Sequence, residues 1–242
     1  PSSSVELGLS LLNHQGGDGA PLATFTERLI DIFLIKPLGA EISDKVIMGD
    51  ILVTVPGAGL EFYLEGLSTD LDATVIKNSE SFWADAAYTL GVRAVGRGRE
   101  GRLDLWMEGH FAGMRPHTHH QLRDGLTVDR RVFGYPLGPL ARSLQVGFDW
   151  RGRSDVMSLA ATWEGYSGDD WAFPQGGASW IRLADNPDEN RLRAIVDWTR
   201  EHSDSGLRTS VRLGYEHVSR FNFLDQDRSN YLAQVRMAWL PN

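Results

Sequence analysis

Cysteine is absent from the 242 residues of the chain, so no disulfide and no thiolate metal site can form. Long apolar runs are absent too. No stretch of about 18 uncharged apolar residues occurs, which excludes a membrane-crossing helix. A basic excess is also missing. The formal net charge is −8, which argues against nucleic acid as a partner. The opening residues PSSSVELGLS lack the basic start and apolar core of a signal peptide. The run Gly16-Gly17-Asp18-Gly19 lacks the strand–loop–helix setting and the lysine of a phosphate loop, so no nucleotide cofactor is expected there. No other cofactor is expected.

What the sequence does have is alternation. After the turn Pro136-Leu137-Gly138-Pro139, Leu144, Val146, Phe148 and Trp150 alternate with Gln145, Gly147, Asp149 and Arg151. Side chains on a strand alternate between faces, so this is a strand with one apolar and one polar face. The same pattern recurs along the chain. Val5 to Leu11, Ile47 to Val55, Leu60 to Glu65, Phe82 to Val92 and Leu103 to Phe111 show it in the first half. Leu159 to Glu164, Leu192 to Thr199, Leu207 to Glu216 and Tyr231 to Trp239 repeat it in the second. That makes about ten strands, and a tilted transmembrane strand needs about 9–11 residues. The mean hydropathy of −0.27 looks soluble, but alternation dilutes hydropathy. One small core cannot absorb so many apolar faces. The pattern therefore predicts an all-β fold: an antiparallel transmembrane β-barrel with lipid outside and a wet or plugged lumen. A soluble sandwich is the structural alternative.

Short turns at 56–59, 96–101, 152–155 and 204–206 alternate with long loops, as expected of a barrel with one short-turned end. Tyr88, Trp150, Trp163, Trp198, Tyr215 and Trp239 near strand ends suit an interfacial girdle. Thr24 and Glu27 have capping-box spacing, and the apolar residues that follow predict one short helix over 24–36, closed by Pro37. Its apolar residues cover much of its circumference. It is expected in the barrel mouth or against the rim at the membrane surface.

Trp83, Asp85, Trp106, Glu108 and His110 form an inward row on two neighbouring strands. Two indoles beside carboxylates suit a sugar, with rings to stack on its C–H face and acceptors for its hydroxyls. Trp171 and Trp180 in the long loop after Trp163 are further stacking candidates. Asp104 and Glu108 on one face also fit paired carboxylates for glycoside hydrolysis, against the plainer reading of a salt-bridged lumen lined by Arg93, Arg193, Arg208, Arg212 and Arg236. His117, His119, His120 and Asp124 include imidazoles that suit zinc, copper or nickel. Without a second ligand cluster they read as a polar surface loop.

Three stretches resemble the capsule-assembly Wzi family of Gram-negative outer-membrane proteins. They are the run from His119 to Pro139 leading into Ala141 to Trp150, Ser43-Asp44 with the strand and Pro56-Gly57 turn that follow, and Gly16 to Pro21 ahead of a short helix. The ending departs from the pattern, since Trp239 is followed by Leu240-Pro241-Asn242. The resemblance implies barrels of roughly 18 strands with a periplasmic helical bundle, within the range of bacterial barrels. It also implies a non-enzymatic lectin of the Gram-negative outer membrane, with capsular polysaccharide and outer-membrane lipid as partners and the barrel-assembly machinery for insertion. The chain reads as one barrel domain over 1–242, either mature or an N-terminally incomplete part of a longer protein. A barrel enzyme acting on lipid or glycan, and a diffusion channel, are the alternative functions.

Overall fold

The computed structural model describes residues 4–15, 22–33, 43–69, 86–97, 102–114, 127–128, 131–132, 137–172, 181–202 and 206–239. Ten strands form one antiparallel sheet. They are β1 (Ser4–Gln15), β2 (Ser43–Val55), β3 (Leu60–Thr69), β4 (Ala86–Arg97), β5 (Arg102–Ala112), β8 (Ala141–Arg151), β9 (Asp155–Tyr166), β12 (Glu189–His202), β13 (Leu207–Ser219) and β14 (Arg228–Trp239), in that spatial order. Two small ribbons sit in the long connections: β6 (Thr127–Val128) with β7 (Arg131–Val132), and β10 (Asp170–Ala172) with β11 (Ile181–Ala184). Every strand of the large sheet pairs with its predecessor in that order, so the sheet is one continuous meander. Among the described residues β1 and β14 are its two open ends.

The register lines up a predominantly apolar face. A single row of directly opposed residues crosses the whole sheet: Val5, Val53, Phe62, Val92, Met107, Val146, Ala161, Ala194, Tyr215, Tyr231. Its polar counterpart on the other face runs Glu6, Leu52, Tyr63, Gly91, Glu108, Gln145, Thr162, Arg193, Glu216, Asn230. The apolar row starts near the beginning of β1 and finishes near the beginning of β14, which runs the opposite way. It therefore climbs from the short-turn end to the long-connection end. That stagger is what closing strands into a barrel requires.

The apolar face is bare. Leu9 is 82% exposed and Leu90 62%, although each sits within a strand. Only six hydrophobic residues are buried among those described, and four of them are alanines. A sandwich buries one apolar face against another. Among the described residues no second layer covers this one, so the sandwich alternative fails and the barrel expectation stands. Phe62, Leu64, Leu90 and Leu105 lie on the apolar face as expected, and Tyr88 does too, half-buried at its edge. The girdle residues separate into two levels. Tyr88, Trp163 and Tyr215 lie toward the long-connection end, and Trp150, Trp198 and Trp239 toward the short turns. Tyr215 and Leu207, the partner of Trp239, are about 26 Å apart along β13 at a rise of ~3.3 Å per residue. At the ~40° strand tilt of such barrels this is roughly 20 Å of height, most of a ~25 Å apolar band.

On the polar face large side chains fold down over glycines. Tyr63 faces Gly91, and its ring reaches to 2.0 Å from where a Cβ on Gly91 would stand. Trp106 covers Gly147 in the same way, at 2.6 Å. Only a residue without a side chain lets these rings lie against the backbone.

Helix α1 (Phe25–Phe33) begins with the expected capping box. The Glu27 carboxylate accepts from the Thr24 backbone N–H at 2.7 Å, and Thr24 Oγ1 accepts from the Glu27 N–H at 3.3 Å. The residues 34–42, with the expected stop at Pro37, lie outside the described residues. Asn13, His14 and Gln15 are not loop, as their polarity and the glycines after them suggest. They extend β1 opposite Lys45, Asp44 and Ser43. The reason is α1. Asn13 and Gln15 each donate to Asp31 at 3.0 Å, and Gln15 also reaches the carbonyl of Arg28 at 3.0 Å. Lys45 Nζ closes the cluster, 2.7 Å from Asp31 Oδ1. These anchors share the parity of Leu9, Leu11 and Ile47. The helix is therefore docked on the outside rim of the sheet, not in its mouth.

Candidate functional site

Alternation places Asp104, Trp106, Glu108 and His110 on the polar face of β5, as the sequence pattern expects. The sheet then gives each a different setting. Asp104 is only 1% exposed and fully engaged. Arg102 Nε approaches both its oxygens, at 3.0 and 3.1 Å, Arg93 donates at 3.3 Å, and the Gly96 N–H donates at 3.0 Å. It staples the bulge where β4 turns into β5. Asp104 is therefore held in the wall and is not available to pair with Glu108.

Glu108 accepts from the Tyr63 hydroxyl, reaching across Gly91 between them. With Asp50, Leu52 and Glu65 the two line a shallow hollow of about 460 Å³. Trp106, half-buried, lies beside Glu108 on the same strand face. His110 is buried, with Nδ1 3.0 Å from Thr89 Oγ1, so it belongs to the wall beneath the surface. Asp50 and Glu65 stand directly opposite each other, two acceptors side by side. Like charges so placed repel. A ligand rich in hydroxyl donors can bridge them. Trp83, Asp85 and Trp180 lie outside the described residues, as do His117, His119, His120 and Asp124. No cluster of metal-ligating side chains occurs among the described residues.

The remaining polar wall is a lattice of charge pairs. Arg193 donates to Glu216 at 2.8 Å and reaches Glu164 at 3.4 Å, and Asn230 donates to Glu216 at 2.8 Å. Buried Glu164 also accepts from the Tyr166 hydroxyl at 3.0 Å. On β12 and β13, Arg212 meets Asp197 at 2.6 Å. Arginine forks and carboxylates are matched in geometry, which fixes these side chains to the wall.

A second hollow of about 510 Å³ opens at the long-connection end, where three chain-distant segments meet. Ser167, Asp169 and Asp170 come from the first, Asn186 from the second, and Asn222, Phe223 and Leu224 from the third. Arg182 holds Asp169 at 2.7 Å and lowers its pKa, with the Ser167 hydroxyl and the Asn186 N–H adding to the effect. Asn186 donates to Asp170 at 3.3 Å. Asn222 and Phe223 adopt left-handed φ values of 56° and 59°, and the Asn222 N–H donates to Glu189 at 2.7 Å. For phenylalanine that conformation is costly and is held by its surroundings. Trp171 neighbours this hollow in sequence. Its indole N–H is buried without a partner among the described residues. The sequence points to Trp171 beside this hollow but not to Asn186, Asn222 or Phe223 that line it, because nothing along the chain joins these segments.

No family model matches the sequence, and no curated protein does. Among solved structures the fold is similar to Wzi, described as an outer membrane protein involved in group 1 capsule assembly in Escherichia coli and a carbohydrate-binding β-barrel. The TM-score is 0.61 at 15% identity, over 98% of this chain and 49% of that one. The chain thus spans about half the length of that barrel. At this identity the likeness is one of fold: the ten-stranded sheet has the architecture of a β-barrel wall.

Proposed function

We propose that the chain is the wall of an outer-membrane β-barrel that binds surface polysaccharide, of capsular type, without covalent chemistry. The observation that carries this reading is the polar-face hollow of Asp50, Tyr63, Glu65 and Glu108 with Trp106 beside it. Similarity of fold to a carbohydrate-binding barrel supports it. Sugar hydroxyls donate to the three carboxylates, and the apolar C–H face of a ring lies on the indole. Because Trp106 is pressed onto Gly147, it offers one fixed face and loses little rotamer freedom on binding. The rim hollow, with Asp170, Asn186, Asn222 and Phe223, supplies donors, acceptors and an aromatic ring where a chain would arrive from outside. Trp171 on β10 and, beyond the described residues, Trp83, Asp85 and Trp180 remain candidate contacts.

Titration of purified protein with capsular polysaccharide, followed by Trp fluorescence and calorimetry, tests the reading. Trp106→Ala should weaken binding by about 1 kcal/mol, the scale of one aromatic contact. Glu65→Gln should weaken it through a lost acceptor, and Asn186→Ala with Phe223→Ala reports on the rim. Saturable binding by the parent that none of these changes alters removes both sites. No binding by the parent removes the reading.

A further inference from the structure

Helix α1 is docked the wrong way round for a protein in water. Its one buried side chain among those described is a charged one: Asp31 is turned to the sheet, 4% exposed against Lys45, Asn13 and Gln15. Phe25, Leu29 and Ile32 follow one another at four- and three-residue spacing and share the opposite side. They are 80%, 47% and 48% exposed. A helix on a water-soluble core buries its apolar stripe and shows its polar one.

The docking position explains the inversion. Along β1 the apolar face carries Val5, Leu7, Leu9 and Leu11, then turns polar at Asn13 and Gln15. Along β2 it changes in the same way from Ile47 to Lys45 and Ser43. The change falls at one level on both strands, since Leu11 opposes Ile47 and Asn13 opposes Lys45. This polar shelf marks the end of the apolar belt, and α1 rests on it.

We propose that α1 is an interfacial helix whose partner is the lipid surface: Asp31 ties it to the shelf, and Phe25, Leu29 and Ile32 enter the acyl region where the belt ends. The inference rests on the reading that the apolar face of the sheet meets lipid. The apolar side of the helix continues that face, and an amphipathic helix lying in the interface buries its apolar side by ~5–10 Å. The barrel thereby gains a collar at one point of its rim, which fixes how deep β1 and β2 sit.

The chain has no cysteine, so single labels are clean. Leu29→Cys, Leu9→Cys on the belt and Arg153→Cys in a short turn are each nitroxide-labelled in the full chain, reconstituted in phosphatidylcholine vesicles. Collision with oxygen, which partitions into lipid, is compared with collision with a water-borne nickel chelate. The expected result is oxygen exceeding nickel several-fold at 29 and 9, with the reverse at 153. Lipid exposure at 9 with water exposure at 29 overturns the helix proposal and leaves the barrel reading standing. Low collision with both probes at 29 means that protein covers the helix, which also overturns it. Water exposure at 9 overturns the membrane reading and the proposal together. If the Leu29 variant fails to fold, Phe25→Cys reads the same face.

Discussion

Leu64 and Glu65 are chain neighbours on opposite faces of β3, and the same substitution at each should have effects of opposite sign. Leu64 is 41% exposed on the apolar face, directly opposite Ile51 and Leu90. An arginine there stands in the middle of the belt. At mid-membrane its cost is about 2–4 kcal/mol. Glu65 stands on the polar face opposite Asp50 and Thr89. Glu65→Arg turns an Asp50–Glu65 repulsion into an attraction. Directly opposed pairs of this kind contribute about 0.2–1 kcal/mol, so Glu65→Arg should be neutral or slightly stabilising. The expected gap between the two variants is therefore about 2–5 kcal/mol. Urea unfolding in lipid vesicles reads it, with heat-dependent gel migration as a check on folding. Glu65→Arg proving as harmful as Leu64→Arg would refute the facing assignment, and with it the register of β2, β3 and β4.

The Asp31 carboxyl is raised in pKa by burial, but bonds from Lys45, Ser43, Asn13 and Gln15 outweigh that and bring it down to about 2. A depressed folded-state value stabilises docking above the ordinary carboxylate pKa and loses that stabilisation as pH falls through the folded value. Docking of α1 should therefore weaken by about 2 kcal/mol between pH 4 and pH 2, seen as faster protease cleavage within 24–33, and Asp31→Asn should show the weakened state at neutral pH. A Cβ on Gly147 would lie 2.6 Å from the Leu159 carbonyl and from the Trp106 ring, so Gly147→Ala should cost about 1–3 kcal/mol, whereas Gly109→Ala, with nothing nearer than 3.9 Å, should stay within about 0.5 kcal/mol in the same unfolding assay. Arg193→Met leaves buried Glu164 and its neighbour Glu216 without their shared cation and should cost about 3 kcal/mol, with Glu164→Gln added to the variant restoring part of the loss in thermal unfolding.

The strands and their facing were legible because period-two alternation survives in every one of the ten, and a one-residue slip would have turned each apolar set inward. The capping box at Thr24 and Glu27 gave α1 its start for an equally local reason. What was not legible depends on contacts between distant segments. Asn13 and Gln15 look like loop residues until Asp31 satisfies their amides. The helical wheel separates the two sides of α1 but cannot say which one docks. His110 carries the alternation of a lumen residue, yet its neighbour Thr89 takes it into the wall. The rim hollow needs 167–170, 186 and 222–224 brought together, and no spacing along the chain encodes that.

Tyr63 and Gly91 form one unit although 28 residues separate them, for the ring occupies the space the glycine vacates. Neither can drift alone. A side chain arriving at position 91 evicts the tyrosine and strips Glu108 of its hydroxyl partner. A small residue arriving at position 63 leaves a bare glycine in mid-strand, with its backbone open to solvent. Trp106 and Gly147 are bound by the same logic on the next pair of strands. Across relatives these positions should therefore be inherited in couples, ring with glycine or small with large. Counting such paired exchanges would recover the register of the sheet from sequences alone.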